Sequence, residues 1–245
     1  MRVTTNSKLI STRRRYGTYA NFAGLGILLV GMLASLRPTQ TSSVWIAMFA
    51  LIVGFGLTRY GTYSLRRWGR SPRPDEVIET ALKGFDDRNH YYAWALPVPY
   101  VLLSPQGVYA FTTRDQTGQI AVTGSEWHSK FSPGRLFLGQ EGLGNPTRDA
   151  LESAEKLRQW MREQAPDLEI AVQPAIVFLD ERAQLTITDP TVPVLEPKGL
   201  KKWLRGPGKG TTLKNPDYRR IETLFNAKAS GEEHTEPAAP DNPTG

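Results

Sequence analysis

Two uncharged stretches of 21 residues each, 16–36 and 38–58, are separated by the single charge of Arg37. About 20 predominantly apolar residues cross the hydrocarbon core of a bilayer. The pattern therefore predicts two membrane spans, one over 16–36 and one over 38–58. The second opens on polar residues 38–43, so its strongly apolar part is 44–57. Beyond residue 74 the long apolar period gives way to shorter ones. Pro74, Asp75 and Glu76 suit the first turn of a helix, and Val77, Ile78, Ala81, Leu82 and Phe85 share one of its faces, with an end near Gly84. Residues 91–96 form an aromatic first run, kept to an edge or broken by Pro97 and Pro99.

Residues 100–103 and 108–113 then flank Ser104-Pro105-Gln106-Gly107, which reads as strand, tight turn, strand, because Pro presets one turn torsion and Gly supplies a positive φ. A second turn ending at Gly118 and a β-prone run over 119–123 complete a predicted three-strand meander. Residues 131–144, with Pro133 and several glycines, read as an irregular loop. Asn145 as N-cap and Pro146 at the first helical position start a helix to about Gln164, with Leu151, Ala154, Leu157, Trp160 and Met161 as its apolar stripe. Residues 175–179, after Pro174, are apolar enough for a strand buried on both faces. Shorter strands follow at 185–188 and 192–195, then short helices at 200–204 and 216–225.

Charge changes the picture of the ends. The net charge of +6 would suggest a nucleic-acid partner if it were evenly spread. Residues 1–74 hold 11 Lys and Arg and no acid, leaving 19 basic against 24 acidic residues in 75–245. The soluble part is net negative, which argues against nucleic acid, whose binding draws most affinity from neutralised phosphates. Lys8, Arg13, Arg14 and Arg15 precede the first span, and Arg59, Arg66, Arg67, Arg70 and Arg73 follow the second, against Arg37 alone between them. Basic residues near span ends stay cytoplasmic, so both termini are expected in the cytoplasm, with the arginines against anionic lipid headgroups. Tyr16, Tyr19, Tyr60, Tyr63 and Trp68 mark the same boundary. Residues 229–245, with four acids and three prolines, read as a disordered acidic tail.

Gly17, Gly24 and Gly31 recur every seven residues along one face of the first span, and Ala47, Ala50 and Gly54 make a similar stripe on the second. Small stripes let helices approach closely, which suits either a packed hairpin or a homo-oligomer seam. Neither span contains an ionisable Asp, Glu, Lys, Arg or His, which argues against ion or proton transport. The chain has no cysteine, so disulfides and thiolate metal sites are excluded.

The turn and strand Pro105-x-Gly107-Val108-Tyr109, the closing Gly118 and then Trp127 resemble the nuclease-related domain (NERD), a branch of the restriction-endonuclease-like PD-(D/E)XK superfamily. The resemblance covers about residues 75–185, and the predicted order of helix, three strands, helix, strand agrees with it. The residues themselves read as a membrane hairpin (1–74) followed by an α/β domain (75–228), and the resemblance implies that this domain is built on an α-β-β-β-α-β mixed sheet. It also implies a metal-dependent nuclease site made by one Asp on the first strand and a Glu-x-Lys on the second. Here those positions are Pro99, Thr112 and Arg114. The Gln often found four residues after the family's helix-starting Asn is Asp149.

Holding Mg²⁺ beside a scissile phosphate takes carboxylate oxygens. Pro99 offers no ligand, Thr112 a neutral hydroxyl, and Arg114 a cation that cannot act as a base. Asp115, Glu126, Asp75, Glu76 and Glu79 are the nearby acids; Asp115, adjacent to Arg114, is expected on the opposite strand face. His90, His128 and His234 make no ligand pair at metal spacing. Residues 198–220 carry eight basic residues around Gly206-Pro207-Gly208-Lys209-Gly210, readable as a phosphate-binding loop or as a solvated basic loop near the membrane, without a Walker pattern. The expectation is a membrane-anchored, catalytically degenerate relative that binds or scaffolds an unidentified protein partner and needs no cofactor. The alternative is a Mg²⁺-dependent nuclease with relocated carboxylates.

Overall fold

The computed structural model describes residues 1–36, 41–69, 71–129, 142–168 and 170–231. The expected loop over 131–144 lies almost wholly outside these residues; of the expected disordered tail, 229–245, Ala229 and Ser230 instead end the last helix, capped by Gly231, and the rest lies outside them. The protein is mixed α/β, with six helices among the described residues. Helices α1 (Ser7–Ser35) and α2 (Thr41–Trp68) form an antiparallel pair, and both are long and apolar enough to cross a membrane. Gly17 lies against Ser64, Gly24 against Thr58 and Gly54, and Gly31 against Ala50. A Cβ on Gly24 would stand 2.7 Å from the Thr58 backbone nitrogen and 2.8 Å from the Gly54 carbonyl oxygen. Of the two readings of the glycine stripe, the structure shows the packed hairpin, with α2 covering the face that carries Gly17, Gly24 and Gly31.

The helices run past the charged boundaries of the spans and enter the α/β core. Ile10 on α1 is buried there, and Trp68 at the end of α2 packs beside it. The segment before the first span, grouped with the anchor by its composition, forms strand β1 (Arg2–Thr5). It pairs in parallel with β2 (His90–Ala93), from Arg2 opposite His90 to Thr5 opposite Ala93. Strand β2 is therefore internal and all four of its residues are buried; of the two outcomes that Pro97 and Pro99 allowed, an edge strand or a break before Tyr100, the break is the one observed.

After α3 (Pro74–Leu82), strands β2, β3 (Tyr100–Ser104) and β4 (Gly107–Arg114) run antiparallel. Ser104 pairs with Gly107 across the Pro105-Gln106 turn, and Gly107 takes φ +132°. The predicted hairpin is thus observed. The third strand of the predicted meander is not: β5 (Gly118–Thr123) leaves for a second, three-stranded sheet of order β6-β5-β8, with β6 (Glu126–Ser129) and β8 (Ala183–Thr188). Gly118, at φ +93°, permits the turn that separates β5 from β4. In place of β5, β7 (Val172–Phe178) lies parallel beside β4 and completes the order β1-β2-β3-β4-β7-β9, where β9 is Val194–Leu195. Pro174 is tolerated in β7 because β9 pairs only with Ile176 and Val177.

The larger sheet carries helices on both faces. Helices α4 (Pro146–Gln164) and α6 (Asn215–Ser230) cover Tyr92, Val101, Leu103, Val108 and Ala110. Helices α3 and α5 (Pro197–Arg205), with the root of the hairpin, cover Tyr91, Leu102, Tyr109 and Phe111. On α4 the buried stripe is Ala150, Ala154, Leu157 and Met161, while Leu151, expected inside, is 46% exposed. The α4 cap is as expected: Asn145 Oδ1 accepts from Arg148 N–H at 3.0 Å.

Candidate functional site

Strands β4–β5 and β7–β8 form one parallel ribbon with a bend. Between the paired segments, Leu179 N–H donates to the Arg114 carbonyl at 2.8 Å and Gly118 N–H to the Arg182 carbonyl at 3.1 Å. The register shifts by one residue across the bend, from Arg114 opposite Phe178 to Gly118 opposite Ala183. A cavity of about 340 Å³ opens at this bend, beyond the C-terminal ends of β4 and β7. Crevices at the carboxyl ends of parallel strands are a general place for ligands in α/β proteins. The volume is at the low end of the range, about 300–1,000 Å³, usual for small-molecule sites.

Pro99, Thr112 and Arg114 all line this cavity. Thr112 and Arg114, two apart on β4, share a strand face. Pro99 ends the bend 94–99, where Trp94 takes φ +59° and its N–H donates to the Pro99 carbonyl at 2.7 Å. Asp115, expected to face away, also borders the cavity: β4 ends at Arg114, so strict alternation stops there. Asp149 of α4 and Asp180 after β7 close another side. The remaining wall comes from the root of α2, through Tyr63, Arg66 and Arg67, and from the start of α3.

Arg114 does not stand as an open positive charge, as its place in the sequence suggested. Its guanidinium donates to Asp149 Oδ2 and, at 3.1 Å, to the Thr113 carbonyl, while its Nε–H is buried without an acceptor. Asp180 accepts from Arg182 Nε and Nη2 at 2.9 and 2.7 Å, a pairing that holds the Arg182 pKa above its ordinary value. Arg67 is held differently. It donates to Tyr63 Oη at 3.1 Å, and its guanidinium carbon lies 5.2 Å from the Trp94 ring and 5.8 Å from the Trp68 ring. It has no carboxylate partner among the described residues. Such cation–π contacts fix a guanidinium without neutralising it. Burial pushes the Tyr100 hydroxyl, on the same wall, above its usual pKa, with the charge of Arg67 pulling the other way.

The carboxylates near the site have other employment. Asp75, which is buried, accepts from Arg73 Nε and Nη2, and this hydrogen bonding raises the Arg73 pKa. Glu76 Oε2 accepts from Arg73 N–H at 2.9 Å and closes the start of α3. Glu126 lies on β6 in the smaller sheet. Among the described residues, no three His, Asp or Glu side chains are grouped as metal ligands. The positions where the resemblance implies carboxylates hold Pro99 and Thr112, so this donor set does not fit Mg²⁺. His90 is on β2, bonded to Thr4 and Tyr92. In the 206–210 segment, Gly208 meets the Trp203 ring and Gly210 meets the Gln106 carbonyl of the β3–β4 turn. Close packing accounts for those two glycines.

The chain matches no family model, no curated protein and no solved structure. Two residues that shape the site were missed in the sequence, Asp149 as the partner of Arg114 and Arg67 as the stacked cation. The first had a signal, since an arginine at the end of a buried strand requires a counter-charge. The second depends on the left-handed backbone at Trp94, which nothing in the residue type announces.

Proposed function

We propose that this protein is a membrane-anchored relative of the nuclease-related domain that lacks nuclease activity and works as a binding or scaffold module at the cytoplasmic membrane face. The observation that carries the reading is the joint position of Pro99, Thr112 and Arg114 on one cavity at the strand ends, with no metal-binding carboxylate among them. The succession α3-β2-β3-β4, then α4-β7 after the excursion of β5 and β6 into the smaller sheet, with β7 parallel to β4, supports the restriction-endonuclease-like assignment. Orientation is supported by β1. A strand preceding the first span pairs with a strand following the second, so both flanks of the hairpin lie on one side. The excess of arginine at those flanks makes that side cytoplasmic.

The full chain in detergent is the right material for the test, because a fragment starting at residue 75 would lose β1 and the packing of Ile10 and Trp68. Titration calorimetry with Mg²⁺ and Mn²⁺ should show no specific binding, and DNA and RNA should remain uncut with either metal. Metal-dependent cleavage lost on Asp115→Asn or Asp149→Asn would establish the other reading, a nuclease with relocated carboxylates.

A further inference from the structure

The cavity has a surplus of positive charge with a direction to it. Arg66, Arg67 and Arg114 face Asp115, Asp149 and Asp180 around its wall, but two of those acids are also served from outside. Asp180 is taken by Arg182, and Asp149 lies 3.9 Å from Arg148 as well as against Arg114. Arg148 also lies 3.6 Å from Glu152, so five arginines stand against four carboxylates. Among the described residues, Arg67 has only ring faces and a phenol oxygen for partners. An oxyanion would give Arg67 the counter-charge it lacks, whereas a cationic ligand would meet an excess of like charge.

The position of Arg67 says where that anion comes from. Tyr63 is one helical turn, about 6 Å, past Arg59 at the end of the apolar run. The headgroup layer is about 5–7 Å deep beyond a hydrocarbon core of about 30 Å. Side chains on a helix lean toward its N-terminus, which for the end of α2 is toward the bilayer. The hydrogen bond from Arg67 back to Tyr63 Oη, one turn earlier, shows that lean. Arg67 is therefore aimed from the cavity wall at headgroup depth. We propose that the cavity receives the phosphate of an anionic phospholipid headgroup, with Arg67 as its main ligand. This rests on the membrane reading above and gives the degenerate site a ligand class.

The test uses the full chain in detergent, followed by its melting temperature. Phosphatidylglycerol at about 100 times its Kd should raise the melting temperature by about 5–10 °C, whereas phosphatidylcholine and free inorganic phosphate at the same concentration should not. Arg67→Gln should remove the rise and Arg67→Lys should keep part of it. Arg219→Gln, which removes an exposed charge on α6 that does not line the cavity, should keep it whole. An equal rise with phosphatidylcholine, or a full rise in Arg67→Gln, would overturn the proposal. An equal rise with inorganic phosphate would overturn the lipid as its source. Flotation with vesicles after alkaline extraction separates the two levels. Protein left in the soluble fraction would remove the anchor and this proposal together, while flotation without a selective rise would remove the headgroup site alone.

Discussion

The hairpin and the α/β domain bury opposite kinds of residue. Between α1 and α2 the buried positions are Gly17, Gly24, Gly31, Ala50, Gly54, Gly61 and Ser64, while Phe22, Trp45, Phe49, Ile52 and Phe55 point outward at 62–70% exposure. In the domain, Tyr91, Tyr92, Leu102, Tyr109 and Phe111 are inside, and Asp75, bonded to Arg73, is the buried carboxylate among the described residues. Among the described residues, every exposed large hydrophobic except Val3, Leu151 and Ile187 lies within 16–63. A soluble protein rarely leaves so large an apolar surface uncovered. In a bilayer that arrangement is the ordinary one, because lipid is as apolar as leucine and helices associate through close backbone approach. The same chain thus uses two rules of packing, and the rule changes where α1 and α2 meet the sheet.

The largest effect that separates the two rules comes from equal truncations. Leu102→Ala removes a fully buried side chain between the sheet and α3 and should cost about 2–5 kcal/mol. Phe49→Ala removes a larger side chain that is 70% exposed and should change stability by about 0.5 kcal/mol or less in detergent or bilayer. Denaturant titrations of the full chain measure both. A Phe49→Ala loss as large as that of Leu102→Ala would mean that the outer face of the hairpin is covered by protein.

The inverse experiment adds bulk. Gly24→Leu would drive a side chain into the backbone of α2, which cannot yield as a flexible side chain can, whereas a Cβ on Gly26 meets nothing within 4 Å. Gly24→Leu should therefore cost about 1–3 kcal/mol, and Gly26→Leu should be close to neutral. Thermal unfolding of the two variants checks this. Equal tolerance of both would place the α1–α2 contact elsewhere on α1.

Much of this organisation was legible because the deciding interactions are local. The Ser104-Pro105-Gln106-Gly107 turn fixes its own hairpin, and Asn145 and Pro146 start α4 within one turn. Thr112 and Arg114 fall on one face by strand alternation alone. What was not legible depends on distant partners. Residues 2–5 look like the flank of a span, and only the exposed edge of β2, over 80 residues away, makes them a strand. The departure of β5 depends on β8, which supplies the parallel partner for Gly118–Thr123. At the site, the pairing of Arg114 with Asp149 crosses from strand to helix, so the sequence shows two charges but not their cancellation.

The smallest effect concerns pH and touches only one side of the comparison. His90 is buried, 5% exposed, at the joint of β1, β2 and α6. Tyr92 Oη donates to Asn226 Oδ1 at 2.8 Å, so it accepts from His90 Nδ1–H at 2.9 Å, and Nε2 then accepts from Thr4 Oγ1 at 2.8 Å. That pattern is the neutral imidazole. Burial lowers the His90 pKa below its ordinary 6.5, the charge of Arg2 adds to this, and Glu222, 3.6 Å from Nδ1, opposes it. Tyr218, which bonds Arg2, is the other titratable group nearby, and burial pushes its pKa up, out of this range. Because the folded state resists a proton that the unfolded chain accepts, the contribution of neutral His90 is complete above pH 6.5 and is lost as pH falls toward the lowered value. The slope there should reach at most about 1.4 kcal/mol per pH unit. Protection of the β1 amides against hydrogen exchange, taken relative to the unstructured chain at the same pH, should fall between about pH 6.5 and 5.5, and His90→Gln should abolish that dependence, while protection of the α1 and α2 amides, which carry no group titrating in this range, stays unchanged. Protection of β1 that is flat through the window in the parent protein would show that His90 does not set the stability of the joint.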